Sequence, residues 1–188
     1  MMNANDNEPP KKQTRSRRKT TYKGASNKPV SGMLPKTENQ DKLIKAIKSS
    51  KQVLILGPAG TGKTYVTATC AADLYILKEI DKIVITRPHV AVGRDIGYLP
   101  GTLEEKAQPW ALPVLDVLTK HLSKGAVDTA LKSGNIEVAT LALMRGRSFE
   151  NAFIIVDEAQ NIEIPEIKML LTRVGEGSTI VLNGDIQQ

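Results

Sequence analysis

The chain has 188 residues, 40% of them hydrophobic and 4% aromatic, with a formal net charge of +6. That length allows one domain with a sizeable buried core. No apolar run approaches the roughly 18–20 residues needed to span a bilayer, the basic N-terminus lacks the apolar stretch of a secretory signal, and the lone Cys70 excludes an internal disulfide, so a cytoplasmic protein is expected.

The charge is unevenly placed. Residues 1–36 hold nine Lys or Arg against Asp6 and Glu8, leaving 17 basic and 18 acidic residues for the rest of the chain. The positive excess therefore belongs to the tail, and the remainder is nearly neutral. Rich in Lys, Arg, Asn, Pro, Ser and Thr, this tail has almost nothing to bury and is predicted to be disordered. Its KKQTRSRRK run reads as a phosphate-backbone-binding arm, a nuclear-import signal or a solubilising arm. A folded domain is expected over residues 37–188.

Leu43, Ile44 and Ile47 fall at helical spacing and predict a short amphipathic helix over about 38–49. Val53–Leu56 is a wholly apolar run stopped by Gly57-Pro58, which predicts a strand buried on both faces. A helix follows at about 63–78, with Ala68, Ala71 and Ala72 permitting close packing on a sheet. Lys82–Thr86 is a second strand, and 103–133 reads as helix broken near Pro109 and Gly125. Ile136–Ala139, Phe153–Val156 and Ser178–Leu182 complete the strands, with a helix at about 165–173 that has Pro165 in its first turn. Apolar strands alternating with helices predict an α/β fold, a mainly parallel sheet with helices on both faces.

Gly57-Pro58-Ala59-Gly60-Thr61-Gly62-Lys63-Thr64 matches G-x-x-x-x-G-K-[ST]. Glycines let the backbone curl so that successive N–H groups face phosphate oxygens. Lys63 is placed to reach the β and γ phosphates, the Thr64 hydroxyl to coordinate Mg²⁺, and the following helix to aim its positive end at the same anion. A chance match in a chain of this length is about a one-in-a-hundred event, and the loop has the strand before it and helix after it that the motif requires.

Phe153–Val156 delivers two acids, Asp157 and Glu158, at its C-terminal end, where ligands bind in open α/β sheets. Asp157 is expected to hold Mg²⁺ through water, and Glu158 to orient and deprotonate the attacking water. Ser178–Leu182 repeats the form, leading into Asp185, and Gln188 is placed to sense the γ-phosphate or the water.

Together these segments identify a resemblance. GPAGTGKTY at 57–65, ITRP at 85–88, GYLPGTLEEK at 97–106, LMRGR at 143–147, FIIVDEAQN at 153–161, LTRVGEGS at 171–178 and GDIQQ at 184–188 resemble, in order, the phosphate-starvation-inducible PhoH family, itself similar to the ATPase core of superfamily 1 helicases. The resemblance covers nearly everything from about Asn39 onward. It implies a RecA-like P-loop domain binding ATP and Mg²⁺, with RNA or single-stranded DNA as partner and a ring-forming homo-oligomer as an expected assembly. By the same resemblance Gln40 occupies the place of a glutamine that reads adenine, and Thr86 and Arg87 that of a segment touching a nucleic-acid backbone. Arg145, Arg147 and Arg173 are candidates for an arginine that stabilises transition-state charge, from the same or a neighbouring subunit.

Members of the family continue past the position of Gln188, so a fragment without the second RecA-like domain of a translocating motor is expected. His89 and His121 have no metal-ligand spacing, Cys70 reads as packing, and Trp110 as packing rather than a base-stacking platform. Two other functions fit the loop: a small-molecule kinase, which has no need of the DEAQ-type base, and an ATP-gated binding module with slow turnover.

Overall fold

The computed structural model describes residues 34–88 and 103–187, with only the backbone described for 103–108. The basic arm up to Met33, His89, the GYLPG segment and Gln188 lie outside the described residues.

The elements run α1 (Glu38–Ser49), β1 (Gln52–Leu56), α2 (Lys63–Ile76), β2 (Lys82–Arg87), α3 (Leu103–Leu122), α4 (Lys124–Ser133), β3 (Ile136–Thr140), α5 (Leu141–Met144), β4 (Ala152–Val156), a 3-10 turn (Ala159–Asn161), α6 (Ile164–Leu171) and β5 (Thr179–Gly184). Among the described residues the strands form one sheet in the order β1-β5-β4-β2-β3. Every pairing is parallel. This is the expected α/β architecture. Two apolar layers flank the sheet. Val66, Ala68, Ala71 and Ala72 of α2 pack with Ala111, Val114 and Leu118 of α3 on one face, while Met144, Leu170 and Val156 fill the other.

Helix α2 is buried continuously from Val66 to Ala72. Its alanines allow the backbone to approach the sheet, which puts the start of the helix beside the carboxyl ends of β4 and β5. Thr37 caps α1 by accepting the Gln40 backbone N–H at 3.3 Å. That cap sets Gln40 in the first turn, next to the loop after β1.

Two expectations are corrected. The helix predicted to break near Pro109 runs unbroken through both Pro109 and Pro113, and the break falls at Ser123, whose φ of 73° caps α4. Each interior proline costs about 3 kcal/mol. Burial of Ala111, Val114, Leu115 and Leu118 on one stripe supplies more than local propensity removes. The second correction concerns β1. It is an edge strand, and among the described residues nothing pairs its outer side. Val53 is buried against α2, but Leu54 and Leu56 point to the opposite face and remain 62% and 57% exposed.

Candidate functional site: a phosphate-loop cleft

The segment between β1 and α2 wraps into a loop that depends on two left-handed glycines. Gly60 and Gly62 sit at φ 75° and 83°, a region that side-chain-bearing residues adopt at a cost. Gly62 directly precedes α2, so the loop turns into the helix through this residue and the first amides of α2 face the cleft. A Cβ on Gly62 would also press on Gln40 Nε2 at 3.3 Å. The loop is braced internally by Thr61 Oγ1, which donates to Pro58 O at 2.9 Å. Lys63 Nζ folds over it and donates to Gly57 O (2.6 Å) and Pro58 O (2.7 Å). Ala59, Gly60 and Lys63 line one wall of a cleft of about 340 Å³.

The opposite wall comes from β4 and β5. Beyond Val156, the Asp157 N–H donates to Thr86 O at 3.0 Å, which prolongs the β2–β4 pairing by one bond. This fixes Asp157 at the strand end. The Thr64 hydroxyl donates to Asp157 Oδ1 at 3.2 Å, joining residues 93 positions apart. Burial pushes the Asp157 carboxyl above its ordinary range, and the Thr64 hydrogen bond works against that shift. A hydroxyl and a desolvated carboxylate facing each other are hard oxygen donors suited to Mg²⁺. Glu158 follows in left-handed conformation (φ 54°, ψ 40°), which turns the chain out of the strand and leaves its side chain in the cleft with Asp157.

Other expected residues are distributed unevenly. Gln40 does reach the loop, donating from Nε2 to Thr61 O at 3.4 Å and accepting the Lys36 N–H at 2.8 Å. Thr86 is buried and Arg87 half-buried at the end of β2, where Arg87 is close enough to influence Asp157. Two of the three arginines are occupied elsewhere. Arg147 grips Glu137 through both Nη atoms (2.5 and 2.9 Å) and lies over the Phe149 ring. Arg173 donates to Arg147 O at 3.0 Å and Met169 O at 3.3 Å. Arg145 is exposed. His121 stands 3.2 Å from Thr69 Oγ1 and beside the Tyr65 ring, and Trp110 packs on the core. The Cys70 thiol is buried and pushed up to about 11, chiefly by desolvation, so it is a packing group.

Three cleft residues were not singled out from the sequence: Gln160, Asn183 and Tyr65. Asn183 is buried in β5 on the α2 side, where its Oδ1 accepts the Thr67 hydroxyl at 3.1 Å. The signal for it was present in the chain. Alternation along β5 puts Val181 and Asn183 on the same face, and an amide at a core-facing position implies a polar neighbour.

A parallel sheet with a glycine-rich strand-to-helix loop and an acid-bearing strand end defines the fold of a P-loop ATPase core. The sequence model of the PhoH-like protein family matches residues 33–188, and the chain belongs to that family. It is 44% identical over 161 residues to Protein PhoH of Escherichia coli K12, covering 85% of this chain and 46% of the relative. It is 42% identical over 153 residues to a PhoH-like protein of Bacillus subtilis, covering 81% and 48%. The chain thus spans about half the length of the curated relatives it matches. Among solved structures, the Sulfolobus solfataricus SWI2/SNF2 ATPase core in complex with dsDNA superposes with a TM-score of 0.50 at 20% identity, over 78% of this chain and 31% of that one. That likeness concerns the fold.

Proposed function

We propose that this chain binds and hydrolyses ATP with Mg²⁺, and that RNA or single-stranded DNA stimulates the turnover. The observation that carries the reading is the meeting of Thr64 and Asp157 at 3.2 Å, with Glu158 beside them and the Gly57–Thr64 loop opposite. In this reading the amides of Gly57, Pro58–Thr61 (proline excepted) and Gly62 surround the β and γ phosphates. Lys63 exchanges its loop carbonyls for phosphate oxygens. Thr64 and Asp157 would hold Mg²⁺, which would supply charge neutralisation to the phosphates. Glu158 takes a proton from the attacking water while the bond from the γ-phosphorus to the bridging oxygen breaks. Gln40, bonded to the loop at Thr61 O, is assigned to reading the base, and Gln188 to sensing the γ-phosphate.

Nucleic-acid coupling rests on the basic arm within residues 1–36 and on the family's likeness to helicase cores, with the half-buried Arg87 at the end of β2 as a backbone contact; Thr86 is fully buried and makes none. Residues 37–188 act as the ATPase unit. If turnover draws on an arginine from a neighbouring subunit of a ring, Arg145 is the exposed candidate, because Arg147 and Arg173 are engaged in the fold.

The test is steady-state ATP hydrolysis with and without single-stranded RNA and DNA, at two salt concentrations. Stimulation that weakens with salt is the expected result, since phosphate contacts release counterions. Tight ATP binding with no turnover under any of these conditions would point instead to an ATP-gated binding module. Transfer of labelled phosphate to a metabolite rather than to water would establish a kinase.

A further inference from the structure

One half-buried side chain of the cleft touches the proposed base. Gln160 lies in the 3-10 turn after β4. Its Nε2 donates to Glu158 Oε2 at 2.6 Å. Its Oε1 accepts the backbone N–H of Asp185 at 2.9 Å, across 25 residues of chain. The two bonds are chemically coupled. A backbone N–H can only donate, so the Asp185 amide dictates that the oxygen of Gln160 faces β5. The NH₂ end is thereby turned toward Glu158, where a carboxylate can only accept.

Glu158 needs such a partner. Its backbone is left-handed and its half-buried side chain lines the cleft, and a long carboxylate side chain has several staggered rotamers unless a partner selects one. We propose that Gln160 is a positioning residue for Glu158, holding its carboxylate in one orientation and tying that orientation to the turn after β5. This rests on the reading of Glu158 as the base. The turn itself is ordered by the Gln187 N–H, which donates to Asp185 Oδ1 at 2.8 Å. A displacement of this turn, by whatever contacts the sheet end, shifts the Gln160 oxygen and with it the Glu158 carboxylate. Gln160 therefore links the base on β4 to the neighbouring strand end.

The experiment compares Gln160→Ala, Gln160→Glu and Gln160→His in the full chain. The measurements are kcat and KM for ATP, the Kd for ATP·Mg²⁺ and hydrogen exchange of the Asp185 amide. Gln160→Ala is expected to lower kcat about 10- to 100-fold, the range for loss of a group that orients a reacting one, with Kd changed less than about threefold. The Asp185 amide should exchange faster in this variant, in the absence of nucleotide as well. Gln160→Glu should lose at least as much, because carboxylate then faces carboxylate. Gln160→His should recover part of the loss, since a neutral imidazole offers one donor and one acceptor at similar reach. Parent-like kcat in Gln160→Ala beside an inactive Glu158→Gln overturns the positioning role and leaves the base standing. Parent-like turnover of Glu158→Gln overturns both. Unchanged exchange at Asp185 in Gln160→Ala overturns the tether whatever the rates.

Discussion

Two carboxylates on nearby strands are treated in opposite ways. Glu137 on β3 is clasped by Arg147 and by Lys82 at 2.9 Å, and the Arg147 hydrogen bonds hold its carboxyl down at about 2. Asp157 at the end of β4 is at least as hidden, yet among the described residues no cation stands within ion-pair distance of it, and burial drives its carboxyl upward. Glu137 ties β3 to the segment that carries Arg147 and to Lys82 of β2, so its charge is neutralised by the fold. Asp157 is held by the Thr64 hydroxyl and the Glu158 backbone, with Arg87 acting on it from a distance. In the proposed function, its charge is met by a divalent cation that enters the cleft with the phosphates.

The difference can be broken most directly at the cleft. Lys63→Ala is expected to abolish measurable ATP·Mg²⁺ binding by calorimetry, whereas Glu158→Gln should retain binding and lose about 10²–10⁴-fold in kcat, the typical contribution of a positioned general base. Asp157→Asn should reduce Mg²⁺-dependent turnover about 10²–10³-fold. In thermal unfolding without nucleotide the same variant should be more stable than the parent at neutral pH. An acid whose folded pKa is raised costs stability once ionised, and the cost disappears as pH falls through the raised value. The gap between the two proteins should therefore close in acid, and a lower Tm for Asp157→Asn at pH 7 would remove the contrast with Glu137.

At the structural pair the effects are smaller and act on stability alone. Arg147→Met leaves Glu137 with only Lys82 and should cost about 1–2 kcal/mol, between the values for exposed and buried pairs. ATP binding should be unaffected. The pair also sets an acid limb. Glu137 has a folded pKa depressed from an ordinary value near 4.5 to about 2, so its contribution is fully present above pH 4.5 and is lost as pH falls toward 2. Denaturation curves across that window should be flatter for Glu137→Gln. Smallest of all, Leu54→Ser on the exposed face of β1 should change stability by under about 0.5 kcal/mol, as for surface positions generally.

Much of this was readable in the chain because the signals are local. Mainly apolar segments of four or five residues located all five strands to within two residues at either end, and alternation with helices implied a parallel sheet. The loop motif and the paired acids placed both walls of the cleft, since each wall is made by contiguous residues at a strand end. What was misread depended on neighbours. Val53–Leu56 has the composition of a strand covered on both faces, but composition does not say which strands flank it, and β1 came to lie at an edge with Leu54 and Leu56 exposed. Pro109 is a helix breaker by local energetics and is overruled by the packing of α3 against α2 and β3.

The sequence by itself determined the kinds of element, the phosphate loop at 57–64 and the acids at 157–158, because backbone propensity, side-chain alternation and a contiguous motif are properties of neighbouring residues. Only the tertiary structure decided the pairings across long separations. It set Thr64 against Asp157 and Arg147 against Glu137, and it placed Gln160 between Glu158 and Asp185. Hydrogen bonds and ion pairs depend on distances of about 3 Å, and such distances between remote residues exist only once the strand order has brought their ends together.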